Sequence, residues 1–509
     1  MAKPSFANIV CTTSSANTAI GTTAAPVFDT NHGSVVFSNN ISDDITWDQT
    51  AGEGTFTFAR DGIYHVVLSL FSVNNAANRD TTVTFTKNSD SAFYTGVHQV
   101  LAAMDPAEGT HQKILSISAG DVLNIEALAE AGTIGITKGT SLSITEITSG
   151  VYISNTVTTN ASTSTTDEFN PYDTDLSGGP VFAAGNQIAS AITFTGDAGS
   201  WTIAEDGKYF IMVSNFMGSA GATNSNVTIH LKSGDDEIFT GAYRASRVAE
   251  PVEATFCVVE DLATGAVLTI TWDIGSGQAQ ANIGSTITLY KIDDTELVRG
   301  APSFISVLNK AVLTATASEI NPFDEDSYSS ASFDTRSNGG FIAFDASDGT
   351  FTISEAGSYF IIHNQITQAA SDAIVTSEVK INDVVKLTFE RHIDSNPDPQ
   401  NTTVHGILDC AVGDVIIVTI DSDSPNIGHD AGSTLTILKL RDGWVFREAV
   451  PESYITDNFT LNTFSQDFLS SRHKRDAAQV PFLLGVPGPL SLRGRTSQVA
   501  VVSKGDKKN

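Results

Sequence analysis

Cysteine is scarce in this chain of 509 residues: the three present, Cys11, Cys257 and Cys410, lie far apart and are odd in number. Such spacing excludes a disulfide framework and a zinc cluster. The thiols then read as buried apolar side chains of a protein made in a reducing compartment. Positive charge is scarce as well, with 28 Lys and Arg against 58 Asp and Glu and a formal charge of −30. A surface of that sign repels phosphate backbones and anionic lipid, so nucleic-acid binding by the bulk of the chain is excluded. No segment approaches the ~18 apolar residues of a membrane span, and "MAKPSFANIV" lacks the charged region, apolar run and cleavage site of a secretory signal. The expected product is soluble, made in the cytoplasm and not inserted in a membrane.

What the chain does have is bulk and apolar content. Hydrophobic residues make up 41% and charged residues 17%, a globular composition whose polarity comes mostly from Ser, Thr, Asn and Gly. The length implies roughly three or four domains. Charge is uneven: from Arg441 onward there are ten Lys or Arg and seven Asp or Glu, a local +3, which leaves −33 for residues 1–440.

Three landmarks recur in one order. The first reads "FTFARDGIYHVVLSLF", "WTIAEDGKYFIMVSNF" and "FTISEAGSYFIIHNQI", with Gly62, Gly207 and Gly357 two residues before Tyr64, Tyr209 and Tyr359. The second, "SAGDVLNIEA", "ATGAVLTITW" and "AVGDVIIVTI", places Gly120, Gly265 and Gly413 at 58, 58 and 56 residues beyond the first glycine. The third, "GTSLSITEI", "GSTITLYKI" and "GSTLTILKL", starts at Gly139, Gly284 and Gly432. Each has the alternation of a half-buried strand entered through a turn, where glycine supplies a positive φ or a tight bend. No sustained helical period occurs. The pattern predicts an all-β chain of three tandem antiparallel sandwiches or jelly rolls, at residues 1–148, 149–298 and 299–440, followed by an extended, basic-leaning C-terminal arm at 441–509.

The order of turn, Gly-x-Tyr and apolar strand, then Gly-Asp-Val, then a glycine-started last strand, resembles the jelly roll shared by complement globular heads and tumour-necrosis-factor cytokines. The resemblance covers about 430 of the 509 residues. It implies a ten-strand fold, trimerisation through apolar faces and a binding role rather than catalysis. Under it, Tyr64, Tyr209 and Tyr359 belong to the core or the trimer face. The second unit departs by reading "TGAVL" where the others carry Asp121 and Asp414. Two assemblies satisfy the pattern: three chains stacked in parallel, or three units of one chain around a pseudo-threefold axis. Closed homo-oligomers are common and the units differ in surface sequence, so a true homotrimer is the expectation.

The stretch after Leu440 has no counterpart after the other units. "PFLLGVPGPL" cannot be a regular helix and is expected to run extended. Residues 444–502 read as an arm docking onto a larger particle, with Val480, Phe482, Leu483 and Leu484 as apolar contacts and Arg493 and Arg495 pairing with acids. "SRHKRD" at 471–476 reads as solvated loop charge.

Catalytic patterns are lacking: no serine elbow, phosphate loop, zinc-protease helix or dinucleotide fingerprint occurs. The histidines of the repeats, at 32, 65, 98, 111, 230, 363, 392, 405 and 429, share no metal spacing and no repeat position, and read as isolated satisfied side chains. Two acidic near-copies, "NPYDTD" at 170–175 and "NPFDED" at 321–326, together with "DSDSPN", offer Asp173, Asp175, Asp324, Asp326, Asp421 and Asp423 as calcium candidates. The first unit has only "APVFDTN" at the matching distance, with the single acid Asp29, so an inter-strand turn is the preferred reading, with no cofactor expected.

Together these features lead to a non-enzymatic virion structural protein as the expectation: a spike, fibre or capsid-decorating protein, made in the host cytoplasm and located on the virion. Its partners would be itself, other virion or capsid proteins, and a host surface glycan or receptor. A soluble binding module of the complement-head or TNF type is the alternative, and a polysaccharide-degrading tailspike the third reading.

Overall fold

The computed structural model describes residues 5–13, 20–29, 32, 35–50, 52–74, 79–100, 107–147, 149–162, 168–175, 181–182, 186–187, 191–218, 225–245, 252–275, 279–292, 304–309, 313–315, 319–325, 333–338, 341–369, 373–393, 400–423 and 427–440. Residues Pro4–Arg441 form one compact body; Met1–Lys3 with Asp442–Asn509 form a second unit, outside the described residues. Phe482, Leu483, Leu484, Arg493 and Arg495 therefore lie outside them too.

Each repeat is a two-sheet antiparallel sandwich, spanning Phe6–Glu146, Tyr152–Ile292 and Phe304–Leu440. Among the described residues the one helical element is the 3₁₀ turn Gly196–Ala198. In the inner sheet a long strand carries the Gly-x-Tyr landmark: Gly62–Asn74, Gly207–Gly218 or Gly357–Ala369. On one side it pairs with an edge strand, Ala107–Ile117, Val252–Leu262 or Gln400–Cys410. On the other it pairs with the last strand of its unit, Ser141–Glu146, Thr286–Ile292 or Thr434–Leu440. The last strand in turn pairs with the first, Phe6–Cys11, Tyr152–Thr159 or Phe304–Asn309.

Outer-sheet strands alternate as expected for half-buried ribbons; Val122–Ala129 switches between half-buried and buried at every residue. The long strands do not. Tyr64–Ser72, Tyr209–Gly218 and Tyr359–Thr367 are buried without interruption. A strand covered on both faces carries a continuous apolar run instead of alternation, so the half-buried expectation fails where a second surface covers the inner sheet.

That second surface is the neighbouring unit. The edge strand of the first sandwich packs on the last and first strands of the second, that of the second on those of the third, and that of the third on those of the first. The three units of a single chain close a ring, and one chain supplies the whole pseudo-trimer. The true homotrimer expected from sequence is not what closes this axis.

Candidate functional site

The ring converges on a core of its own, separate from the three sandwich interiors. It joins Phe6, Val67, Ile114, Ile147 and Tyr152 with Phe210, Met212, Cys257, Val259 and Tyr290, and with Phe360, Ile362, Ile407 and Leu438. Tyr64, Tyr209 and Tyr359 are fully buried but belong to their own sandwich cores. The residue after each of them, His65, Phe210 or Phe360, points to the axis, because successive side chains on a strand face opposite ways. Phe210 stacks on Tyr290 at 4.7 Å between ring centroids and lies 5.8 Å from His65 and 6.3 Å from Phe360, so it meets side chains of all three units.

Strand register sorts the edge-strand side chains into layers. Pairing with the long strands makes Ile114, Val259 and Ile407 equivalent, then Gln112, Cys257 and His405, then Thr110, Thr255 and Thr403, then Glu108, Glu253 and Asn401. The core thus grades from apolar to acidic along the axis. An edge strand leaves backbone N–H groups unpaired, and burying them demands acceptors. The last layer supplies these from the adjacent unit. Thr403 N–H donates to the Glu108 carboxylate at 2.8 and 3.0 Å, and Thr110 N–H donates to Glu253 Oε2 at 2.8 Å. In the amide orientation that satisfies both its polar atoms, Asn401 accepts from Thr255 N–H and donates to Thr255 O, each at 3.2 Å. The three contacts run cyclically, first unit to third, third to second, second to first.

The electrostatics of this layer break the symmetry. Burial, then the charge of Glu253, pushes the Glu108 carboxyl well above its ordinary range, while the Arg391 guanidinium pulls it back. Burial likewise raises Glu253, with Arg391 again opposing. One guanidinium serves two carboxyls. Its positional equivalents in the other units are His98 and Tyr243.

The Gln/Cys/His layer inserts each side chain into the next unit. Gln112 Nε2 donates to Met212 O at 3.1 Å and Ser214 Oγ at 3.2 Å, and its Oε1 bonds His65 Nε2 at 3.0 Å. His405 Nδ1 and Nε2 bond the hydroxyls of Ser143 and Ser141 at 2.8 and 3.3 Å. Beside Gln112, Lys113 is buried against the second unit, where it donates to Thr156 Oγ1 at 2.9 Å and Ser154 O at 3.4 Å; burial lowers its amine to about 8.

The third sequence landmark belongs to these seams. A Cβ on Gly284 would sit 2.4 Å from the Gly96 Cα of the first unit, and one on Gly432 2.6 Å from the Gly241 Cα of the second. One on Gly139 would meet Phe389 Cβ of the third unit at 2.7 Å. Gly96, Gly241 and Phe389 hold equivalent register positions. The landmark marks where units touch.

The histidines are not the isolated, satisfied set expected. His98 Nδ1 and His111 Nε2 lie 3.1 Å apart, and Tyr94 Oη bonds His111 Nδ1 at 2.9 Å. His363 and His429 stack at 6.5 Å inside the third sandwich, with both nitrogens of each ring unpartnered among the described residues. Burial depresses each of these two to about 3. Both pairs sit on different strands, a juxtaposition that spacing in the sequence does not display.

The acidic near-copies form turns. Asn170 Nδ2 donates to Ala198 O and Gly199 O at 3.0 and 2.9 Å while its Oδ1 accepts from Tyr172 N–H at 2.9 Å, and Asn321 repeats this with Asp348, Gly349 and Phe323. Tyr172 and Phe323 are fully buried plugs. Asp173 Oδ1 accepts from Asp175 N–H at 2.8 Å, while Asp324 N–H donates to Asn321 O at 3.3 Å. Asp421 Oδ1 accepts from Ser422 N–H at 2.8 Å and Asp423 Oδ1 from Ile374 N–H at 2.7 Å. Asp326 lies outside the described residues. Among the described residues no three His, Cys, Asp or Glu side chains converge as a metal site.

No protein-family model matches the sequence, and no curated protein matches it. Solved structures do. Murine APRIL at pH 5.0 is 12% identical over 27% of this chain and 99% of its own, with a TM-score of 0.21. Eiger TNF from S. frugiperda is 16% identical over 29% and 96%, at 0.22. GITRL from bushbaby is 14% identical over 28% and 98%, at 0.17. The assignment of tandem jelly-roll sandwiches rests on the sheets themselves.

Proposed function

We propose that this chain is a non-enzymatic structural head of a virion: a spike, fibre or capsid-decorating protein in which one polypeptide supplies all three jelly rolls of a trimeric binding module. The observation that carries the reading is the cyclic closure, with each edge strand sealed by a side chain from the adjacent unit. Such a design devotes the buried polar groups along the axis to holding units in order. Residues 441–509, basic-leaning in sequence, would attach the head to other virion or capsid proteins, leaving the outer sheets for a host glycan or receptor. Immunogold labelling of purified particles with antibodies to residues 4–440 tests the placement, and a chain lacking 441–509 tests the attachment. Particle labelling that disappears with the truncation is expected; full-length protein found free of particles would overturn the reading.

A soluble binding module of the TNF type is the second reading, favoured by the ring of three sandwiches itself. It predicts saturable binding to intact cells by protein free of particles. A glycan-degrading activity would instead release new reducing ends from host polysaccharide.

A further inference from the structure

The geometry points to an acid-opened latch at the seam between the third and first units, with His405 as its trigger. Two of the three seams join units that the chain already connects, across residues 147–151 and 293–303. The third–first seam has no such connection. Only non-covalent contacts close it, so it is the place where the ring can part without unfolding a sandwich.

This seam also differs in side chains. At the shared layer position the first unit inserts Gln112, the second Cys257 and the third His405. His405 is fully buried. Ser143 Oγ donates to Asn8 Oδ1 at 3.2 Å, so the hydrogen-bond network assigns the donor role to His405 Nδ1 at 2.8 Å and leaves Nε2 to accept from Ser141 at 3.3 Å. A second proton turns Nε2 into a donor and places a full charge between neutral hydroxyls. Asn8 and Ser141 and Ser143 on the first unit's first and last strands, and Phe360 on the third unit's long strand, offer no countercharge. Among the described residues, the one titratable group whose charge bears on His405 is His65 of the first unit's long strand, and it repels. Burial holds His405 down to about 3 and His65 to about 4.

The sign follows from linkage. Closure is fully favoured above the ordinary histidine range and weakens as pH falls from there toward the buried values. Other groups of the seam bear on the same balance. Glu108, two layers along the axis, runs the opposite way because its raised carboxyl binds protons more readily when closed. Asp409 accepts from Asn40 Nδ2 at 3.2 Å, and Glu390 lies 3.9 Å from Lys138. Substituting His405 alone separates its contribution from theirs. Opening would bare the apolar lining of Ile114, Phe360 and Ile407, a surface suited to refolding against another apolar partner.

The test is pulsed hydrogen exchange with mass spectrometry on the full chain, held at steps from pH 7.5 to 4 before a short labelling pulse. Amides of Gln400–Cys410 and Ser141–Glu146 are expected to lose protection at a higher pH than those of Val252–Leu262 and Thr286–Ile292. In His405→Gln, which copies the side chain found at Gln112, that loss moves down by at least ~0.5 pH unit. His65 and His111, which pack on Phe210 and Phe216 of the second unit, already give the first–second seam some acid sensitivity, and the converse Gln112→His should raise the pH at which Ala107–Ile117 and Thr286–Ile292 lose protection. Should His405→Gln fail to fold at pH 7.5, as judged by circular dichroism, the converse variant decides alone. Simultaneous opening of all three seams at one pH, or Gln112→His leaving its seam unchanged, overturns the proposal.

Discussion

The two ends of the axial core do different physical jobs. At one end Ile114, Val259 and Ile407 meet the rings of Phe210, Tyr290 and Phe360; at the other Glu108, Glu253 and Asn401 cap the edge-strand amides of their neighbours. Apolar burial is non-directional, so the first end supplies attraction and tolerates many exchanges of similar volume. Buried hydrogen bonds are directional and costly to leave unmade, so the second end fixes which unit lies beside which. Attraction and order are thus divided along one axis.

Removing the central ring breaks the first end. Phe210→Ala leaves a cavity among Tyr290, His65 and Phe360, and the expected loss in denaturant unfolding is ~3–5 kcal/mol. If the loss stays below ~1 kcal/mol, the axial core is not a stabilising element.

Paired glycines sharpen the comparison, because two of them share a backbone conformation and differ in surroundings. Gly284 has φ +95° and its Cβ would lie 2.4 Å from Gly96 Cα, whereas Gly120 has φ +89° with nothing within 4 Å. Alanine at Gly120 then meets the left-handed backbone penalty of ~1–2 kcal/mol alone. At Gly284 the seam must also spread, adding ~1–3 kcal/mol of overpacking. Equal melting temperatures for the two variants would show that the seams yield freely.

Glu253→Gln probes the ordering end through pH. The carboxyl of Glu253 is raised in the fold, so its stabilising contribution is present below the ordinary carboxylate range and is lost as pH rises. Glutamine keeps an acceptor for Thr110 N–H and removes the titration. The variant should match the parent at pH 4.5 and exceed it at pH 8.5 by ~1–2 kcal/mol in thermal melts. A variant that is weaker at both pH values would mean that the charge itself holds the layer through Arg391.

The repeat, its register and its turns were legible in the sequence because a period of about 145 residues and glycine-bearing turns are local signals. Gly120, Gly265 and Gly413 do adopt the positive φ that those turns need, at +89°, +87° and +89°. The axis was legible only in retrospect. Its traces are the adjacent apolar residues soon after Tyr64, Tyr209 and Tyr359, as in Val66–Leu68, Phe210–Val213 and Phe360–Ile362, which depart from the alternation of a strand with a solvent face, and the recurring Gly139, Gly284 and Gly432. Glu108, Glu253 and Asn401 left no trace, since two acids and an amide do not look equivalent until strand pairing aligns them. Nor could sequence choose between one chain and three, because the same seam serves either assembly.

The smallest effects belong outside the axis, in the acidic turns. Asn170 makes three hydrogen bonds that close its turn over Gly199, at φ +53°, whereas Asp173 contributes one bond, to the Asp175 amide. Asn170→Ala leaves the Gly199 carbonyl and the Tyr172 amide without partners and should cost ~1–3 kcal/mol. Asp173→Ala loses a half-exposed Asx contact and should cost ~0.5–1 kcal/mol. Adding millimolar calcium or a chelator should move neither parent nor variant in a thermal melt, because the carboxylates serve the backbone. If calcium instead raises the parent's melting temperature and Asp173→Ala abolishes that rise, the turn is a cation site as well as a clasp.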